Sequence, residues 1–268
     1  MEKSGGLGFS VPENPHFKKA IVRIPCKNIT KGITSGKLGK PIYSLALQQH
    51  KYYMELLKTI GLELTVLQPL QDFPDSTFVE DVALVKNDMA ILSYPGSPSR
   101  QGEQKAIAPV IRKLFTHVHQ IKPPGTCEPG DIMMVLNHFY IGLSARTNQE
   151  GADQMVQILK THDYTATIVP LKEMLHLKSG VNYLDEKTIL VCGEFIDNPI
   201  FDKFKKIVIP EDEAYAANSL WVNDIVLVPD GFPKSLCLIQ DAGFIAVTIN
   251  MSEFEKIDGG LSCLSLRY

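Results

Sequence analysis

Two short apolar strands joined by a tight polar turn, then an amphipathic stretch, then one more strand: this order recurs along almost the whole chain, and it restricts the possible folds more than any other feature. One unit reads FVEDVALV, a turn at Lys86-Asn87-Asp88, MAILSYP, a helix expected over 101–115 and HVHQIK. The next reads DIMMVL, a turn at Asn137-His138, FYIGLS, a helix over 149–161 and TATIVPL. A further unit has VNYL, the turn Asp185-Glu186-Lys187, TILVCGEF, a short helical stretch near 199–206 and KIVIP. Another has SLWV, Asn223-Asp224, IVLVP, a helix over 233–242 and FIAVTI. The first unit lacks half of its hairpin, having only AIVRIP, the polar loop NITKGITSGKLGKP, a helix over 42–60 and LELTVL. The C-terminal LSCLSLRY is a strand with no helix after it, so pairing it with AIVRIP completes that hairpin and closes a ring of five. A chain of 268 residues accommodates five units of roughly 50 residues, and stacking such units buries a face that one alone leaves exposed. The competing reading is an ordinary α+β domain in which hairpins and helices alternate by chance.

Composition narrows the partners. A formal net charge of −3 provides no concentrated basic face for nucleic acid or an anionic membrane, which favours a small-molecule substrate. No apolar run approaches the ~20 residues that span a bilayer, and the start MEKSGG has no basic region leading into an apolar one, so a soluble, cytoplasmic protein is expected. Cys26, Cys127, Cys192, Cys237 and Cys263 are odd in number and form no C-x-x-C pair, which argues for reduced thiols rather than a disulfide framework or zinc knuckle. His117-x-His119 places two imidazoles on one strand face, yet no third ligand stands at a useful spacing, so a solvated edge is the better reading. GGLG and GKLGK match neither a P-loop nor a dinucleotide fingerprint.

The chemistry-bearing residues each carry two readings. Asp75, Glu80 and Asp81 lie close together in PDSTFVED, and Glu80 and Asp81 fall inside an apolar strand pattern where an unpaired charge is costly. Carboxylates so placed could grip a planar guanidinium through paired N–H bonds; otherwise they face solvent or pair with an internal arginine. Cys263, after two glycines in DGGLSCLS, is either a nucleophile open to close approach or an inert small hydrophobe. His176 could exchange protons near neutral pH or be a satisfied core imidazole. Glu128 could orient such a histidine or be a turn carboxylate. Arg100 and Arg146 each follow a hairpin's second strand, where they could hold a substrate carboxylate or be surface residues at helix starts.

Taken together, FPDSTFVEDVAL with PGSPSR, EPGD followed by FYIGLSARTNQEGA, LHLKS, and DGGLSCLS resemble the dimethylarginine dimethylaminohydrolase family of the guanidino-group-modifying (pentein) superfamily, which includes arginine deiminase. The resemblance spans nearly the whole chain. It implies a single α/β domain over 1–268, a five-bladed propeller of ββαβ modules with pseudo-five-fold symmetry, closed by the N- and C-terminal strands. It implies Cys263 as nucleophile, His176 as general acid and base, and Glu128 as the carboxylate paired with His176. Asp75, Glu80 and Asp81 would surround the guanidinium, Arg100 and Arg146 would bind the amino-acid end of the substrate, and Asp258 would line the pocket. The implied reaction converts an Nω-methylated arginine to citrulline and an alkylamine with no metal or organic cofactor; arginine deiminase and a ligand-binding protein without turnover are the alternatives. A homodimer is compatible with the sequence and not specified by it. One departure stands out: the family's E/D-G-G-D reads E-P-G-D here, so Pro129 removes a backbone N–H beside Glu128. The loop NITKGITSGKLGKP is expected to be a lid, with Ile29 or Ile33 over the substrate, or else a plain surface connection.

Overall fold

Strands of four or five residues that are apolar on both faces need a covered place in the middle of a sheet. The computed structural model describes residues 16–268 apart from 37 and 186 and gives these segments that place. The N-terminal GGLG, Lys37 of the long loop and Glu186 of one expected turn lie outside the described residues.

Among the described residues the strands form five three-stranded sheets. The first holds β1 (Lys19–Arg23) and, after α1 (Tyr43–Thr59), β2 (Glu63–Leu67). The second holds β3 (Ala83–Lys86), β4 (Met89–Leu92) and, after α2 (Glu103–Leu114), β5 (His117–Gln120). In the third, β6 (Ile132–Val135) and β7 (His138–Leu143) lead through α3 (Gln149–Lys160) to β8 (Thr165–Pro170). The fourth begins with the short α4 (Leu177–Gly180), followed by β9 (Val181–Asp185), β10 (Thr188–Val191) and β11 (Lys205–Val208). The fifth has β12 (Leu220–Val222), β13 (Ile225–Pro229), α5 (Pro233–Asp241) and β14 (Ile245–Ile249); the short α6 (Ser252–Glu255) and β15 (Ser265–Arg267) end the chain. Each middle strand pairs antiparallel with an inner strand and parallel with an outer one. Since a parallel pair needs a crossover connection, the helices sit between the middle and outer strands.

The C-terminal strand supplies the missing half-hairpin, with Ala20 of β1 opposite Arg267 of β15 and Lys19 opposite Glu63 of β2. Packing follows the same cycle. Each apolar cluster joins two successive sheets: Ile21 with Ala83 and Ile107, Ile91 with Phe139, Tyr140 with Ile189, Leu190 with Val226, and Leu227 with Ala20 and Tyr53. The last of these returns to the first sheet, so burial closes the ring as well as strand pairing does. The inner strands β3, β6, β9, β12 and β15 all line one axial cavity.

Three local expectations need correction. The fourth sheet has no α-helix between β10 and β11, but two 3₁₀ turns, Gly193–Phe195 and Pro199–Phe201. Phe195, Phe201 and Phe204 fill the seam there. The β6–β7 hairpin turns at Leu136-Asn137, since Val135 already pairs with His138. Finally, FVED and SCL are not strand. A helical turn precedes every inner strand: Val79–Val82 before β3, Pro129–Asp131 before β6, α4 before β9, Glu211–Asn218 before β12 and Ser262–Leu264 before β15. A strand would send Glu80 and Asp81 to opposite faces of a sheet covered on both sides. A turn of about three residues lets both reach polar partners.

Candidate active site

These turns and their N-caps carry Glu80, Asp81, Glu128, His176 and Cys263, and their position in the repeat brings them near the other residues singled out in the sequence. Asp75, Asp81, Arg100, Arg146, His176, Asp258 and Cys263 line one cleft, with Ile33, Phe78 and Leu175 among its apolar walls. Cys263 is half-buried there, whereas Cys26, Cys127 and Cys192 are buried and Cys237 is exposed on α5. Burial pushes the Cys263 thiol up to about 12, and the nearby negative charges of Asp81 and Glu80 add to the effect. The thiol is therefore the resting form.

His176 caps α4 and is buried among carboxylates. Its Nε2 lies 3.5 Å from Glu128 Oε2 and its Nδ1 3.3 Å from Asp131 Oδ1, although Nδ1 makes no aligned hydrogen bond. Burial on its own favours the neutral ring, but Asp131, Asp81 and Glu128 outweigh it and raise the imidazole to about 9. Glu128 is wholly buried; it accepts from Ser97 N at 3.0 Å and from Arg146 Nη1 at 3.2 Å. Pro129 does not disturb it. Glu128 has the extended backbone that a following proline favours, and Pro129 opens the turn where an N–H would lack a helical partner in any case. Gly130 is dictated by close approach: a Cβ there would lie 2.8 Å from Asp81 Oδ1 and 3.0 Å from His176 Cγ.

Arg100 is buried and holds the second-sheet turn in place. It bonds to Asp81, bidentately to Glu103, and to the carbonyls of Asp75 and Phe78. Of its five N–H groups, only one on Nη1 remains for a substrate. Asp75 accepts from Ile33 N at 3.0 Å, while burial pushes its carboxyl upward. Asp258 has positive φ and accepts from both Ser35 N (2.6 Å) and Ser35 Oγ (2.9 Å), so two carboxylates pin the long loop over the cleft. Ile33 of the loop lines the cleft; Ile29 is fully buried in the core cluster with Tyr53 and Phe254, because the 3₁₀ turn Lys27–Lys31 directs it inward.

Glu80 points away from this cleft. It lines the axial cavity and is held by Lys178, Ser262 and, at 3.5 Å, Arg267. Sequence reasoning missed several partners: Asp131, Lys178, Asn218, Ser262 and Glu103. Asn218 clamps the cysteine turn by accepting from Ser262 N at 3.0 Å and donating to Lys178 O at 2.8 Å. A side chain at Gly260 would meet it, with a Cβ only 2.2 Å from Asn218 Oδ1. The signals were present in the Asp of EPGD, the Lys of LHLKS and the Arg100/Glu103 spacing. The cleft itself is lined by the carboxylates of Asp75, Asp81 and Asp258 together with Arg100, Arg146 and His176. Asp81, Glu128 and His176 also bring ligand-capable atoms within 4.8 Å of one another, but both carboxylates already serve arginines.

No helix among the described residues is long and apolar enough to cross a membrane. Residues 27–218 match the family model described as N,N dimethylarginine dimethylhydrolase, eukaryotic. The chain is 46% identical over 253 residues to an N(G),N(G)-dimethylarginine dimethylaminohydrolase of Pseudomonas aeruginosa, covering 94% of this chain and 100% of that one. A solved structure of the Pseudomonas aeruginosa enzyme, a cysteine-to-serine variant complexed with citrulline, superposes with a TM-score of 0.93 over 94% of this chain and 100% of that one. A histidine-to-glycine variant of a dimethylarginine dimethylaminohydrolase, as its adduct with S-methyl-L-thiocitrulline, is 46% identical and gives a TM-score of 0.92, covering 94% and 100%.

Proposed function

The chain belongs to the dimethylarginine dimethylaminohydrolase family, and from that premise we propose that it hydrolyses an Nω-methylated arginine to citrulline and an alkylamine, with Cys263 as nucleophile and His176 as general acid and base. The observation that carries the assignment is the meeting of Cys263 and His176 in one cleft with the carboxylates of Asp75, Asp81 and Asp258. A guanidinium cation is the complement of that charge.

The resting thiol, held up to about 12 by burial and by Asp81 and Glu80, needs a reason to ionise. The substrate supplies it, since its cation offsets those carboxylates and lowers the thiol pKa, and the thiol proton passes to solvent because His176 is already the imidazolium. The thiolate attacks the guanidinium carbon and forms a C–S bond. The His176 imidazolium gives its proton to the methylated nitrogen, the C–N bond breaks and the amine leaves. Neutral His176 then takes a proton from water, and hydroxide adds to the thiouronium carbon. The C–S bond breaks as the hydroxyl proton passes to solvent, returning the thiolate and releasing the neutral ureido product. Glu128 and Asp131 stabilise the imidazolium before the first transfer and after the second. Asp81, fixed by Arg100, faces the guanidinium, while Arg146 and the remaining N–H of Arg100 receive the substrate carboxylate. Glu80, tied to Lys178 and Ser262, positions the cysteine turn rather than touching the substrate.

Citrulline formation from asymmetric dimethylarginine, monomethylarginine and arginine tests the reading. Release from the methylated substrates supports it, release from arginine alone makes the enzyme a deiminase, and none from any of the three makes the chain a binding protein. Replacing Cys263→Ser is expected to abolish turnover with the fold intact; undiminished activity would refute the nucleophile.

A further inference from the structure

We propose that His117, His119 and His162 form a second site, remote in sequence from the catalytic turns, for a divalent cation that prefers imidazole, such as Zn2+. His117 and His119 stand two apart on β5, so their side chains leave the same face of the second sheet. Spacing along the chain offers them no third partner; the ring does. The loop after α3 in the third blade brings His162 against both. Its ring centroid lies 5.0 Å from that of His119 and 5.5 Å from that of His117, and the Nε2 atoms of His119 and His162 are 2.8 Å apart.

Two imidazole nitrogens at that distance cannot both carry a proton, so at least one lone pair faces the gap. Tetrahedral zinc at about 2.0–2.1 Å from each nitrogen needs an N···N separation of about 3.3 Å, a small opening of the present pair. His117 presents Nε2 to Asp88 Oδ2 at 3.4 Å. Such a carboxylate raises the basicity of a ligating ring, and the exposed His117 ring must rotate to bring Nδ1 to the ion, because in the present rotamers the described residues that gather three ligand atoms within 4.8 Å are Asp81, Glu128 and His176. His117 and Asp88 are exposed, so the ion enters without any opening of the fold. The seam is already bridged beside the site, where Asn87 reaches Tyr164 OH at 3.2 Å and Lys86 lies over the Tyr164 ring. A metal there would tie the second blade to the third.

Calorimetric titration with zinc chloride of the full chain, of Cys263→Ser and of the double variant His119→Gln/His162→Gln tests this. The first two are expected to take up one equivalent at micromolar zinc with a rise in Tm. The double variant is expected to lose both while forming citrulline at the unchanged metal-free rate. Asp88→Asn is expected to weaken uptake about tenfold. Equal uptake by the double variant, loss of uptake in Cys263→Ser alone, or no uptake by the full chain would each overturn the proposal.

Discussion

Asp131 tests how the imidazole is held ready. It lies 3.3 Å from His176 Nδ1 and is wholly buried, accepting from Leu177 N (3.0 Å), Ser144 Oγ (2.7 Å) and Thr147 Oγ1 (2.6 Å). Replacing Asp131→Asn keeps the shape and an acceptor for Leu177, and Thr147 Oγ1, which accepts from Glu128 N alone, can rotate to accept from the new amide, whereas Ser144 Oγ already accepts from Arg146 N and Thr147 N; the main loss is the charge. At an effective dielectric of about 20, unit charges so close interact by at most about 5 kcal/mol. The three donors already spread that charge, so the drop in the His176 pKa is expected to be about 1–3, from about 9 toward neutrality. NMR titration of the His176 ring measures it directly. In turnover the alkaline limb assigned to the imidazolium moves to lower pH. Stability follows with a definite sign. A folded pKa raised from 6.5 to about 9 contributes on the order of 3 kcal/mol that is fully present below pH 6.5 and lost as pH rises through about 9. In Asp131→Asn that alkaline loss shrinks. A His176 midpoint and alkaline limb unchanged by the substitution would refute the electrostatic account.

Alkylation of Cys263 by iodoacetamide, followed by peptide mass spectrometry without substrate, is expected to keep accelerating with pH beyond 9, because burial and then Asp81 and Glu80 hold the thiol up to about 12; a plateau near pH 7 would mean a resting thiolate instead. Gly130→Ala forces a methyl against Asp81 and His176, so a cost of about 1–3 kcal/mol in chemical denaturation and a fall in kcat are expected, and a variant matching the parent in both would contradict the crowding. Asp258→Ala removes both bonds to Ser35. Faster hydrogen exchange at the Ser35 amide and a higher KM are expected, and unaltered exchange would show that the loop is held by other contacts.

The strands were legible because a buried middle strand leaves a continuous apolar run, and because residues tolerant of positive φ, such as Asn87 and Asn223, punctuate the hairpins. The helical turns before the inner strands were not legible, since four of the five have only three or four residues and carry no period, and FVED reads as strand as readily as turn. The candidate site divides along the same line. Cys263, His176, Glu128 and Asp81 could be found as residue types in motifs, but their partners depend on which turn stands next in the ring. Glu80 and Asp81 are adjacent in sequence and opposite in duty: Asp81 meets Arg100 from its own blade and faces the cleft, while Glu80 meets Lys178 from the fourth blade and Ser262 from the chain end. No spacing rule separates two neighbouring carboxylates in this way. The separation arises because a 3₁₀ turn rotates successive side chains by about 120°, one toward each side of the ring. His162 was hidden for a related reason, because its proximity to His119 is created by the seam between two blades and not by either blade's own sequence.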